Sequence, residues 1–228
     1  MLKDYGIIKI IASKISEAAE SVAGDVLSDY SNLLGREEEI TSQLRGEINR
    51  RLIEKIQLLG SQEIKDCRFS VATFKKKQEK HVGADLAGVI EISLNGRSIS
   101  KAFLAQAKVG RYYMSARGGY ISASNKDIVR QAEDMLKITS DSFFFLYSSS
   151  GIHCVSALQV VLSGSNKIDT GHHPYHTFGS FYEEFVKCFI GDHQISPAAL
   201  GASTLEDYAE KISAEAVIQL KVQLNAHK

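Results

Sequence analysis

Residues 83–109 read GADLAGVIEISLNGRSISKAFLAQAKV, two alternating apolar runs separated by Asn95-Gly96. Asn-Gly is the strongest two-residue hairpin signal, because both residues accept the positive backbone angles such a turn needs. The stretch therefore predicts strand, turn, strand. Side chains two apart in a strand share a face, so Gln106 and Lys108 project together while Phe103, Ala105, Ala107 and Val109 fill the other side. Asp85 opens the first run and Gln106-Ala107-Lys108 closes the second, with twenty residues between Asp85 and Gln106. Folding the runs back on each other sets a carboxylate, an amide and an ammonium on one sheet surface.

That trio suits metal-assisted hydrolysis of a phosphodiester. Asp85 and the Gln106 carbonyl are hard oxygen donors for Mg²⁺, an ion that takes one or two carboxylates and keeps several waters and substrate oxygens. Lys108 can orient the attacking water and set positive charge beside the reacting phosphate. On Gly83-Ala84-Asp85 and Gln106-Ala107-Lys108, residues 36–160 resemble the PD-(D/E)xK nuclease superfamily, specifically its QxK variants such as the Mrr-type restriction enzymes. Ala84 stands where the family nominally has proline, and Gln106 replaces an acidic ligand, so the site carries one negative charge fewer. The resemblance implies a restriction-endonuclease-like three-layer α/β core, a central mixed sheet flanked by helices, with extra helices at both ends. It also implies catalytic Asp85, Gln106 and Lys108, with Asp85 and Gln106 on Mg²⁺, for which Mn²⁺ can substitute. A glutamate from the helix before the first core strand often joins such a site.

Which glutamate that would be follows from helix phase. Residues 36–58 predict a helix with Ile40, Leu44, Ile48 and Leu52 on one stripe, and at 100° per residue Glu37 falls mid-stripe while Glu38 and Glu39 swing away. Glu37 is the choice as third metal ligand and Glu38 the alternative. A first-turn acid favoured by the helix dipole is an equally ordinary reading of either. Upstream, Ile8, Ile11, Ile15, Ala18 and Val22 predict an amphipathic helix over 3–22 for packing or a dimer contact, joined by a polar connection over 24–35.

Residues 67–74 alternate as a strand and run into Lys75-Lys76-Lys77 and Lys80, a basic tract suited to phosphates at the rim of the site or simply to solubility. Val109–Ile121 holds Arg111, Tyr112, Tyr113, Arg117 and two glycines and reads as a substrate-facing loop. Ser124-Asn125 predicts a cap for a helix to about Ile138, with Ile128, Ala132, Met135 and Leu136 inward and Gln131 turned to the active face. Ser142–Tyr147 reads as a strand buried on both sides, and His153–Leu162 as a second run that continues it or pairs with it. His172, His173 and His176 lack the paired spacing and fourth ligand of a zinc site. A helix is expected over 178–190, and Ser203-Thr204-Leu205-Glu206 is a capping box predicting a last helix with Tyr208, Ile212, Ala216 and Leu220 on one face.

With 228 residues and no internal repeat or proline-rich linker, the chain reads as a single domain over 1–228. It has a helical extension over 1–35 and a C-terminal helical part over 170–228. Lys plus Arg and Asp plus Glu are 27 each, so attraction to nucleic acid must come from local clustering. Three separated cysteines argue against a disulfide framework and for a reducing cytoplasm. The start reads as no signal peptide, and no run approaches the roughly 20 apolar residues that span a bilayer. There is no Walker or Rossmann glycine pattern, no GxSxG and no HExxH. The expectation is a cytoplasmic Mg²⁺-dependent endodeoxyribonuclease of restriction or antiviral defence, with DNA as partner and homodimeric in form. The alternatives are a catalytically inactive nuclease-like binding or assembly module, and a nucleotide-activated effector nuclease.

Overall fold

The computed structural model describes residues 2–28, 39–44, 46–47, 50, 64–73, 84–94, 97–116 and 118–224. A seven-stranded mixed sheet forms its middle layer, in the order β1 (Ile64–Thr73), β10 (Ala216–Leu224), β2 (Leu86–Leu94), β3 (Arg97–Val109), β6 (Ser142–Ser148), β7 (Gly151–Ser156) and β9 (His176–Thr177). Strand β2 pairs antiparallel with β3 from Leu86↔Ala105 to Leu94↔Arg97, while Asn95 and Gly96, read as the turn, lie outside the described residues. Strands β3 and β6 run parallel, as a helical crossover between them requires.

One face of the sheet is covered by α1 (Leu2–Leu27) and α4 (Phe178–Val186). Ile7, Ile11, Ile15, Ala18 and Val22 make the buried stripe of α1, and a Cβ on Gly179 of α4 would lie 2.7 Å from the Ser16 carbonyl oxygen, so glycine lets these helices meet closely. Phe103 stands at the centre of this layer, its ring 4.9 Å from those of both Phe181 and Phe185, edge to face. It lies across its cross-strand partner Gly88, where a Cβ would fall 2.2 Å from the ring. Lys101, fully buried two residues away, donates to the Ile190 carbonyl and sits 4.8 Å over the Phe185 ring. Its charge is thereby met on two sides, while burial pulls the ammonium's pKa below its usual range.

The opposite face carries α2 (Ile128–Leu136), α3 (Ala157–Ser163) and α5 (Leu205–Ile212). Ile128, Ala132 and Met135 point inward as their spacing requires, and the Asn125 side chain receives the Asp127 N–H at 3.0 Å just ahead of α2. Strand β6 is buried at all seven positions, as expected of a strand covered on both sides.

Three expectations are corrected. The predicted last helix ends at Ile212, where Ser213 turns left-handed at φ 52°, and residues 216–224 form β10, so the C-terminal part over 170–228 is not wholly helical. Positions 212, 216 and 220 fit a helical face, but a spacing of four also keeps one face of a strand. The alternation of Ala216, Ile218, Leu220 and Val222 decides it, since those four pack against the α1 layer. The second run, read as strand to Leu162, is strand only to Ser156 and continues as α3. Residues 109–121 are not a loop. They include the hairpin of β4 (Arg111–Ser115) and β5 (Gly118–Ser124), which with β8 (Lys167–Asp169) forms a small second sheet. Among the described residues no helix is long and apolar enough to cross a membrane.

Candidate functional site

Strand order and register bring the sequence motif together at one end of the large sheet. The β2–β3 ladder begins at Leu86↔Ala105, one residue past Asp85. Asp85 is pinned on both sides: its N–H donates to the Ala105 carbonyl at 3.0 Å, and its carbonyl accepts from the Ala216 N–H at 3.1 Å. Its side chain then completes the ladder. Oδ2 accepts the Ala107 N–H at 3.0 Å and also the Gln106 Nε2–H.

Alternation from these anchors places Gln106 and Lys108 on the face of β3 that also carries Ala102 and Leu104, beneath the α2, α3 and α5 layer. Both are buried, Gln106 at 5% and Lys108 at 6% exposure, and Lys108 is close enough to Asp85 for its charge to act on the carboxylate. Asp85, Gln106 and Lys108 are thus gathered as their spacing suggested. Glu37 and the basic residues 75–77 and 80 lie outside the described residues.

A fourth group joins them that sequence reasoning missed. Glu215 directly precedes β10, whose Ala216 is paired with Leu86, so Glu215 stands beside Asp85 across the parallel β10–β2 pair. Its negative charge acts on Asp85 as well. Reading 203–220 as one helix hid it. The available signal was an acid immediately ahead of an alternating run, the same arrangement as Asp85 before Leu86.

These surroundings set the protonation of Asp85. Burial raises its pKa most, the Ala107 N–H and Lys108 lower it, Glu215 raises it again and the Gln106 amide lowers it, leaving it at about 6. A carboxyl half protonated near that pH has a low-dielectric environment and close charge partners, the conditions found at many reacting centres.

Among the described residues no three histidine, cysteine, aspartate or glutamate side chains converge on one point. The donors that are present still fit a small hard cation, which needs one or two carboxylates and completes its shell with water. Asp85 supplies one carboxylate and Glu215 stands next to it. The Gln106 amide already reaches the Asp85 carboxylate through its nitrogen, and a half-turn of that group exchanges nitrogen for carbonyl oxygen. On α2, which packs over the same face of the sheet, the buried Gln131 Oε1 has no hydrogen-bond partner among the described residues.

Other polar clusters have local explanations. His173 is buried with its Nδ1 2.9 Å from the Asp169 carbonyl, holding the loop after β8. A recess of about 480 Å³ lined by Glu20, Leu27, Ser149, Ser150 and Gly151 lies between the C-terminal part of α1 and the β6–β7 turn, away from Asp85. No family model, curated protein or solved structure matches this chain.

Proposed function

We propose that the chain is a Mg²⁺-dependent endonuclease of the PD-(D/E)xK type that hydrolyses DNA phosphodiesters, in the setting of restriction or phage defence. The observation that carries this reading is Asp85 held at the head of β2 with Gln106 and Lys108 on the same sheet face. The β2–β3 hairpin, the helix α2 and the parallel strand β6 follow in the order that the resemblance leads one to expect. Strand β10 is an addition to that order, entering between β1 and β2.

In this reading Asp85 and Gln106, joined by Glu215, hold the metal, which when bound polarises the phosphate and lowers the pKa of water. The remaining work falls to the protein. Lys108 sits under the helical layer with little access to bulk water, so its ammonium acts at strength on whatever anion reaches Asp85. It can hold the attacking water by hydrogen bond and offset the charge that builds on the phosphate oxygens. The Ala107 N–H fixes the rotamer of Asp85, so one carboxylate oxygen is committed to the backbone and the other is left for the site.

The test is plasmid cleavage in Mg²⁺ or Mn²⁺ by the parent chain and by Asp85→Asn, Lys108→Met and Glu215→Gln. Phosphodiesters in water are so inert that loss of the metal or of Lys108 removes essentially all turnover, a fall of at least about a thousandfold. Glu215→Gln is expected to cut and to need more metal. Equal cutting by the parent, Asp85→Asn and Lys108→Met overturns the site.

A second reading, a nuclease-like fold kept as a binding or assembly module, is favoured by one observation. Gln106 is neutral and spends its amide N–H on the Asp85 oxygen that also accepts the Ala107 N–H, so these groups satisfy one another without any metal. Calorimetric titration with Mn²⁺ separates the two. Heat that Asp85→Asn abolishes belongs to the enzyme reading, and its absence to the module.

A further inference from the structure

We propose that the β4–β5 hairpin is a stacking platform for unpaired bases of DNA, presented beside the site at Asp85. The choice of polymer rests on reading the chain as a nuclease. The surface itself is read from the hairpin.

Strand β4 is exposed at all five positions. Tyr112 is 44%, Tyr113 42% and Met114 75% exposed, so three large apolar side chains face water in consecutive places. Alternation sets Tyr113 on one face of the ribbon and Tyr112 with Met114 on the other, so each face shows large apolar surface to water, which marks an interaction site rather than a solvated edge.

The rings are also held in place. Tyr113 pairs with Tyr120 across the hairpin, and the two rings stack at 5.3 Å with 20° between their planes. On the other side of the ribbon Tyr112 lies over Gly119, where a Cβ would come within 1.9 Å of its hydroxyl, and that hydroxyl meets the Met114 sulfur at 3.0 Å. Side chains fixed before binding lose little entropy when a ligand arrives.

The charge around the stacked pair selects the ligand. Alternation puts exposed Arg111 on the same side of β4 as Tyr113, and the Lys167 ammonium on β8 is near both the Tyr113 and Tyr120 phenols while paired with Asp169 at 3.1 Å. Flat aromatic faces bordered by cations match a polyanion whose bases are free to stack. A closed duplex shows such a face only its phosphates and base edges. Location agrees with this: Gly110 alone separates β3 from β4, so Lys108 and Arg111 are three residues and at most about 10 Å of chain apart.

Binding without turnover isolates the hairpin. Anisotropy of a labelled oligodeoxythymidine of about twelve residues, and of a duplex of the same length, is measured at low salt without divalent metal. The Asp85→Asn protein serves as the reference, with Tyr113→Ala, Tyr120→Ala or Tyr113→Phe added. Single strand is expected to bind more tightly than duplex. Each alanine should weaken it by about 5- to 100-fold, the scale of one lost base–aromatic stack, and phenylalanine by about twofold at most. Equal affinity across the tyrosine variants, absence of single-strand binding, or a change in Tyr113→Ala confined to self-association in sedimentation overturns the proposal. Plasmid cutting by the parent chain together with tyrosine-independent binding removes this inference and leaves the nuclease reading. Tyrosine-dependent binding by a chain that never cuts does the reverse.

Discussion

Asp85 holds its carboxyl where its charge is costly. Its pKa is about 6 in the fold against 3.8 for an unperturbed aspartate, with burial the largest cause. Between those values the folded state binds more protons than the unfolded chain, so stability falls as pH rises from about 4 to 6 and the full penalty applies above that. Asp85→Asn, which keeps an oxygen for the Ala107 N–H, is therefore expected to be more stable than the parent at pH 7.5, by no more than about 3 kcal/mol. The difference should vanish near pH 4, and thermal melts across that range check it. Mn²⁺ should raise the melting temperature of the parent at pH 7.5 and leave Asp85→Asn unmoved, because an ion that binds only the folded state stabilises by mass action. An asparagine variant less stable than the parent at every pH would mean that the carboxylate is chiefly a structural cap.

At the scale of elements, the hairpin of β2 and β3 shows what sequence can carry. Alternation decides which side chains share a face, so with Asn95-Gly96 read as a turn, Asp85, Gln106 and Lys108 stand out as a group from residue order alone, and the β2–β3 register brings them together. Residues 212–220 show the opposite case. Their apolar spacing suits two periodicities, and the choice was made by a pairing with β1 and β2 more than a hundred residues away, which no local pattern encodes. Glu215 was lost with that choice. The hairpin after β3 was read as a loop for its arginines, tyrosines and glycines, and β4, exposed at all five positions, offers no alternation to signal a strand. Gly88 is a further contact that sequence leaves silent, since the ring it accommodates comes from the facing strand. Gly88→Ala must displace Phe103 from its aromatic neighbours, and we expect a loss of about 1–3 kcal/mol in denaturant unfolding. An unchanged midpoint would show that the ring moves aside freely.

For the molecule as a whole, the last strand in sequence, β10, joins the edge strand β1 to the rest of the large sheet. β10 gives hydrogen bonds to β1 on one side and β2 on the other and buries Ile218 and Leu220 against the α1 layer. Ile218→Pro removes a ladder donor in a central strand and fixes an unsuitable backbone angle, a change such positions do not tolerate. The expected result is loss of a cooperative unfolding transition, checked by calorimetry. A sharp transition near the parent temperature would place β10 at a dispensable edge. The position of β10 also orders events during synthesis. The hairpin bearing Asp85 and Lys108 leaves the ribosome early, but the seam between β1 and β2 can close only when residues 216–224 emerge. Glu215 arrives with them, so on the proposed function the metal site gains its second carboxylate in the same step that closes the sheet, and a partly made chain would hold its ion more weakly than the finished one.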